Sequence, residues 1–113
     1  MFKVISMLKR NPALSPEQFR AHYEEVHAPL AKKTFPFIRK YVRNYVVAAS
    51  SPTARKEPGC DCITEQWFDD KAAFKKMTEI YASDAGRPIR EDEKQVFDMS
   101  KLELLFVEEV SSS

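Results

Sequence analysis

The longest amphipathic stretch of the chain, residues 15–30, predicts a helix, because its apolar positions recur three or four residues apart. This buried stripe comprises Phe19, Tyr23, Val26, His27 and Leu30. Ser15 suits the N-cap, and Gln18 completes a capping box with it. Pro29 lacks the backbone N–H that a helix interior needs, so the helix should kink or end close to His27.

Runs of alternating, β-branched and aromatic residues predict four strands, at 2–9, 38–49, 60–68 and 102–110. A second helix is capped by Asp69 or Asp70, and Gly86 occupies the position of a C-terminal helix glycine. Pro88 then opens a short third helix. The polar segment 50–59 predicts a mobile surface loop between two strands.

The order strand, helix, strand, strand, helix, strand predicts an α+β fold of the ferredoxin-like type, with helices on one face of a four-stranded antiparallel sheet. Two strand segments, 45–47 and 104–107, are apolar on both faces. Helices can cover only one face, so a second copy of the chain is expected on the other. The pattern therefore predicts a homodimer.

Composition narrows the class of protein. A length of 113 residues fits one domain, predicted to span 1–110 with a disordered tail at 111–113. The net charge of +1 carries no electrostatic signature of nucleic-acid binding. No apolar run is long enough for a membrane span, and the N-terminus lacks a signal-peptide core. We expect a cytoplasmic protein without nucleic-acid or membrane partners.

The two cysteines, Cys60 and Cys62, are expected to pack as small apolar residues. Their spacing places them on one face of a strand, where a disulfide between them would be strained. The chain has only two histidines, too few ligands for a recognisable zinc site. No metal is therefore predicted. With only two glycines and no glycine-rich phosphate loop, no cofactor is indicated either.

His27 is the one ionisable ring on the buried stripe, so it is either a satisfied core residue or the working group of a pocket. A histidine set against a carboxylate can move a proton at the carbon next to a ketone, while a tyrosine donates to the resulting oxyanion. On this chemistry the candidate catalytic residues are His27, Glu65 and Tyr45. The candidate substrate-binding residues are Tyr23, Tyr41, Asn44, Asp61 and Trp67.

Structural roles remain open for these candidates. Alternation puts Asp61, Glu65 and Trp67 on one face of the third strand and Thr64 and Gln66 on the other. It does not decide which face meets the helices. Glu65 is alternatively one half of an ion pair with Arg43, and the tyrosines and Trp67 are alternatively core packing.

Structural interpretations are open as well for two acidic residues of the third helix and for the second histidine of the chain. Asp92 and Glu93 would stabilise the start of the third helix, although Glu93 also falls on its inner stripe. His22 lies beside the first helix's stripe and would sit at the surface or rim.

Four stretches together resemble the EthD domain family: LKRNPALSPEQFRAHYEEVHAPLA, IRKYVRNYVV, DCITEQWFDD and AGRPIREDEKQVFD. The matching signatures are His27-Ala28-Pro29-Leu30, Glu65-Gln66-Trp67-Phe68, and Gly86 followed by Asp92-Glu93 and Phe97. This resemblance covers nearly the whole chain. It implies a dimeric α+β barrel, in which two ferredoxin-like sheets pack face to face.

The resemblance also implies a range of activities. EthD proteins occur beside oxidative ether degradation and in polyketide pathways, and relatives on this fold include cyclases, isomerases, decarboxylases, dehydratases and cofactor-free monooxygenases. We therefore expect a small cofactor-independent enzyme, a lyase or a cyclase or isomerase, that acts on a hydrophobic aromatic or polyketide-like metabolite. The alternative is a non-catalytic module that holds a hydrophobic ligand or haem, with His27 as the axial ligand.

Overall fold

The computed structural model describes residues 1–56 and 58–112. Its strands are β1 (Phe2–Leu8), β2 (Lys40–Tyr45), β3 (Ala49–Ser50), β4 (Arg55–Lys56), β5 (Cys62–Phe68) and β6 (Glu103–Val107). Its α-helices are α1 (Pro16–His22), α2 (Ala28–Thr34), α3 (Lys71–Ala82) and α4 (Arg87–Val96). A π-helical turn, Tyr23–His27, joins α1 to α2, and short 3₁₀ turns precede α4 and β6.

The main sheet is antiparallel, with the strand order β2-β5-β1-β6. This order is that of the ferredoxin-like fold, so the predicted fold class is confirmed. The predicted second strand was too long, because pairing with β5 ends at Tyr45. The predicted loop contains the small ribbon β3–β4. Glu57 of that segment and Ser113 of the tail lie outside the described residues.

The sheet has two distinct faces, which strand register defines. The covered face packs against the helices and includes Val4, Ser6, Leu8, Tyr41, Tyr45, Cys62, Thr64, Gln66, Phe68 and Leu104. The open face points away from them and includes Lys3, Ile5, Met7, Val42, Asn44, Ile63, Glu65, Trp67 and Leu105.

The prediction from Pro29 was that the helix kinks or ends close to His27. In the structure α1 ends at His22, a π-helical turn follows to His27, and the helical path continues into α2. The predicted capping box is present, since Ser15 Oγ accepts from the Gln18 backbone and the Gln18 side chain accepts from the Ser15 backbone. The Ala28 N–H then donates to the carbonyl of Tyr23, five residues back, so the backbone changes register without leaving the helical path. Pro29 falls in the first turn of α2, where a missing N–H is tolerated.

This change of register alters which residues are buried. A π-helical turn contains one residue more than an α-helical turn, so the stripe shifts along the sequence. Val26 is 46% exposed, whereas Ala28 and Ala31 are buried. The predicted place of Val26 on the buried stripe was therefore wrong, while Tyr23 and His27 stay inside.

Gly86 has a different role from the one predicted. The helix α3 already ends at Ala82, and Gly86 lies in the 3₁₀ turn that enters α4. A side chain on Gly86 would collide with the backbone carbonyls of Ile80 and Tyr81. The glycine therefore permits the close approach of α4 to the end of α3.

None of the helices within the described residues is long and apolar enough to cross a bilayer.

Candidate functional site

A cavity of about 340 Å³ lies between the covered face and the helices. Apolar side chains form most of its surface, which is typical of small-molecule sites. The polar side chains that line it are Ser6, Tyr23, His27, Tyr41, Thr64, Gln66, Thr78, Tyr81 and Glu93. Of the predicted site residues, the cavity brings together His27, Tyr23 and Tyr41.

His27 is held on the cavity wall by a carboxylate from α4. Its ring is 6% exposed, and Nδ1 lies 2.8 Å from Oδ2 of Asp92. Tyr23 and Phe97 pack edge-on against the ring, with centroids 5.5 and 5.1 Å away. Glu65, the carboxylate named with His27 among the catalytic candidates, does not take this place, because α4 packs directly beside the π-helical turn and brings Asp92 to the ring.

The same carboxylate also contacts the second histidine. His22 Nε2 lies 2.8 Å from Oδ1 of Asp92, so one side chain orients two imidazoles. Burial lowers the pKa of His27, and the nearby His22 adds to this, while Asp92 acts in the opposite direction. His27 is therefore neutral near pH 7 and able to accept a proton.

The contact with Asp92 also sets the tautomer of His27. A carboxylate oxygen accepts hydrogen bonds, so the neutral ring carries its proton on Nδ1 and donates it to Asp92. The lone pair is then on Nε2, which has no hydrogen-bond partner within residues 1–56 and 58–112. A general base needs this arrangement, with one nitrogen fixed and the other free.

A chain of hydroxyl groups lies beside His27. The Tyr23 hydroxyl is 2.9 Å from that of Tyr41 and 2.8 Å from Oγ1 of Thr64. Burial raises the pKa of Tyr23 well above its ordinary value and that of Tyr41 to about 12. Both phenols are therefore protonated at neutral pH and available as hydrogen-bond donors.

Tyr45 lies on the covered face but not on the cavity wall. Its hydroxyl donates to Oε2 of Glu24, and Arg43 binds both oxygens of that carboxylate at 2.8 Å. The Arg43 guanidinium lowers the pKa of Glu24 to about 2. Arg43 is thus paired with Glu24, and the ion pair predicted between Arg43 and Glu65 does not form.

Three predicted site residues lie on the open face instead, away from His27: Asn44, Glu65 and Trp67. Glu65 accepts from Asn44 at 3.0 Å and from Lys3, whose ammonium lies 2.8 Å away. The same ammonium sits 4.4 Å above the Trp67 ring. Asp61 precedes β5 and accepts from the backbone N–H of Arg10 at 2.8 Å.

Sequence reasoning missed the carboxylate that matters most. Asp92 lies three residues after Ile89 and four before Val96, both buried, so helical spacing places it on the inner side of α4. Thr64 and Gln66 were assigned to the correct alternating set, but the sequence did not show that this set faces the helices. One signal could have shown which face of β5 meets the helices. The set that contains Thr64 and Gln66 has Cys62 and Phe68 at its two ends, and these small or apolar side chains favour the covered face.

Cys60 and Cys62 are both buried and unbridged, as predicted. Burial raises the pKa of the Cys62 thiol to about 11, so it is unreactive at neutral pH. Within residues 1–56 and 58–112, no group of three or more histidine, cysteine and acidic side chains is arranged to hold a metal ion.

The model of the EthD domain matches residues 11–100 of the chain. The chain belongs to the EthD domain family. No curated protein matches the sequence significantly.

Solved structures agree with this fold. An ethyl tert-butyl ether D (EthD) family protein from Bacillus halodurans superposes with a TM-score of 0.68 at 24% identity, over 97% of this chain and 100% of the other. A protein from Arabidopsis thaliana gives 0.67 at 16% identity, over 100% and 99%. A dimeric ferredoxin-like protein of unknown function from Thermobifida fusca gives 0.56 at 12% identity, over 94% and 88%. At these identities the likeness establishes the fold.

Proposed function

We propose that this EthD protein is a cofactor-independent enzyme that moves a proton on a hydrophobic, aromatic or polyketide-like ketone. The observation that carries the proposal is the pairing of His27 with Asp92 on the wall of an apolar cavity. A neutral imidazole with one nitrogen fixed by a carboxylate is a general base with a defined direction of attack.

In the proposed reaction, Nε2 of His27 removes a proton from the carbon next to the ketone. The electron pair of that C–H bond forms a carbon–carbon double bond, and the π pair of the carbonyl group moves onto its oxygen, which gives an enolate. The hydroxyl chain of Tyr23, Tyr41 and Thr64 supplies donors for this oxyanion, and Asp92 stabilises the imidazolium.

The imidazolium then returns its proton, and the site of return decides the product. Return to another carbon of the enolate gives an isomer, whereas return to a departing hydroxyl group gives dehydration. Ring closure can start from the same stabilised enolate, whereas loss of carbon dioxide from a β-keto acid would produce it. A lyase or an isomerase is therefore the reaction class that this arrangement favours.

A direct test is deuterium exchange at C2 of 1-tetralone, an aromatic ketone with one exchangeable CH₂ group, followed by proton NMR in D₂O. We expect the wild type to accelerate exchange and His27→Ala to slow it by about a hundredfold or more, the scale of general-base catalysis. His22→Ala is the matched control, since it also removes an imidazole from Asp92 but leaves the cavity wall intact. Equal exchange in the wild type and His27→Ala would contradict the proposal.

The second candidate is a binding module without catalysis. The favouring observation is again His27, since a ring held at Nδ1 presents Nε2 to any bound group, including a haem iron. Titration with haemin distinguishes the two: a Soret band lost in His27→Ala supports haem ligation. Tight binding of tetralone without accelerated exchange supports a simple hydrophobic-ligand module.

We further propose that the functional unit is a homodimer joined through the open face. The open face carries apolar side chains that no helix covers, among them Ile5, Ile63 and Leu105, and Leu105 on the edge strand β6 is 38% exposed. An exposed sheet of this kind is an association site. The Thermobifida fusca structure on the same fold is described as dimeric. Sedimentation equilibrium of the wild type should give twice the mass of one chain, and a monomer would contradict this proposal.

A further inference from the structure

Glu93 is a polar side chain of the cavity to which the mechanism gives no role. Glu93 follows Asp92 on α4, and its side chain lines the same cavity as His27. Its Oε1 is closed off from solvent and has no hydrogen-bond partner within the described residues. A buried oxygen without a partner destabilises the fold, and this one belongs to a side chain on the cavity wall, so a molecule bound in the cavity can supply the missing partner.

The surroundings of Glu93 shift its protonation equilibrium towards the neutral acid. Burial raises the pKa of Glu93, and the negative charge of Asp92 adds to this. The Tyr81 hydroxyl and the Arg90 guanidinium act in the opposite direction but do not outweigh burial. A carboxylic acid is a hydrogen-bond donor as well as an acceptor, which a carboxylate is not.

The charge of the cavity wall limits the ligand further. Neither lysine nor arginine is among the described residues that line it, whereas Glu93 is there and Asp92 lies directly behind His27. A carboxylate or phosphate on the ligand would enter without a counter-ion and at high desolvation cost. The ligand that fits is therefore uncharged.

We propose that Glu93 is the recognition residue of this cavity and donates a hydrogen bond to a carbonyl oxygen of a neutral, otherwise apolar ligand. This inference rests on the proposed function for the location of the ligand, but not on any chemical step. It narrows the substrate class to uncharged carbonyl compounds, because a hydrocarbon leaves Glu93 unpartnered and an acid brings an unpaired charge.

The test compares two probes that differ only in the carbonyl group, 1-tetralone and tetralin, by calorimetric or fluorescence titration. The wild type should bind 1-tetralone about five- to tenfold more tightly than tetralin, the scale of one hydrogen bond. Glu93→Leu should lower this preference, because it removes one donor while the hydroxyl chain remains, and the new side chain has a similar size. Glu93→Gln should retain it, because the amide still donates. Glu91→Leu, an exposed acid on the same helix, is the matched control and should bind like the wild type.

Equal affinity of the wild type for the two probes, including no measurable binding of either, would overturn the assignment of Glu93. So would a Glu93→Leu variant that keeps the preference in full. The proposed function fails in a different way: 1-tetralone binds with the expected preference, but its deuterium exchange does not depend on His27. The two experiments therefore separate recognition by Glu93 from proton transfer by His27.

Discussion

The polar side chains on the two sides of the sheet are used differently. On the open face, Glu65 is engaged on both oxygens, by Lys3 and by Asn44. Across the cavity from the covered face, His27 keeps Nε2 free and Glu93 keeps Oε1 free. The difference is the empty volume of about 340 Å³ that only the covered face adjoins. A polar group is available for chemistry only where the protein does not already satisfy it.

The charges of the open face therefore have a structural interpretation. The Lys3 ammonium lies 2.8 Å from Glu65 and 3.0 Å from Glu109, and these contacts raise its pKa. Such a closed set of charges fixes β1 against its neighbours and leaves apolar residues such as Ile5 and Leu105 for contact with the proposed second chain. The comparison predicts that mutations on the open face change assembly, whereas mutations on the covered face change chemistry.

The largest expected effect is on assembly. Leu105→Glu places a charge on the open face, and burying that charge against a second chain would be strongly unfavourable. We expect self-association to weaken by about a thousandfold or more, measured as the dimer dissociation constant in sedimentation equilibrium. Val26→Glu, at a similarly exposed position on the helical side, should leave the dimer intact. Dissociation by both variants would show that added charge alone separates the chains.

The next effect concerns the carboxylate behind His27. Asp92→Asn keeps the size of the side chain but removes the charge that stabilises the imidazolium and fixes its tautomer. We expect exchange of 1-tetralone to slow by about ten- to a hundredfold, the usual cost of losing an outer-shell partner. If circular dichroism shows that the variant is fully folded and its exchange rate is unchanged, Asp92 is not the functional partner of His27.

A smaller effect should appear as a pH dependence of stability. The pKa of Glu93 is higher in the folded chain than in the unfolded one, because of burial. Its stabilising contribution is therefore complete below about pH 4.3, the unfolded value, and is lost as the pH rises through the folded value. Each tenfold difference in proton affinity is worth about 1.4 kcal/mol, or roughly 4 to 8 °C in Tm for a small domain.

The measurement is Tm from pH 4 to pH 8 for the wild type, Glu93→Gln and the exposed control Glu91→Gln. Relative to Glu93→Gln, the wild type should lose stability as the pH rises, while Glu91→Gln should follow the wild type. If the difference in Tm between the wild type and Glu93→Gln stays constant from pH 4 to pH 8, Glu93 is ionised over this whole range.

The smallest effect tests the sequence-based assignment of Glu65 as a catalytic residue. Glu65→Gln removes the partner of Lys3 but changes nothing on the cavity wall. We expect the rate of exchange to stay within about twofold of the wild type, with a stability loss of about 0.5–1 kcal/mol from a partly exposed ion pair. A large loss of turnover at unchanged stability would instead return Glu65 to the site and contradict the division between the two faces.

The sequence was sufficient to predict the order of elements and the first helix cap. Both depend on local signals, such as the Ser15 and Gln18 side chains that close the capping box. It was also sufficient to place His27 on the buried stripe. These features are encoded within one or two turns of chain, where spacing and side-chain chemistry act directly.

The partner of His27 was not predictable in the same way. Asp92 lies 65 residues further along, and its position depends on how α4 packs across the π-helical turn. Alternation divides β5 correctly into two sets, but both sets contain polar residues, Glu65 in one and Gln66 in the other. Only the tertiary structure decides which set meets the helices. The π-helical turn itself has no local sequence signal, since its residues also suit an ordinary α-helix.

The π-helical turn also sets the rotation of α2 about the helix axis relative to α1. One extra residue between Tyr23 and Ala28 rotates α2 relative to α1 by about 100°, the angle of one residue in an α-helix. Deletion of Glu25 would restore a regular α-helical ladder and turn the small side chains of Ala28 and Ala31 away from the core. The cavity wall thus depends on the count of residues in this turn, so the segment should tolerate exchanges of side chains far better than a change in length.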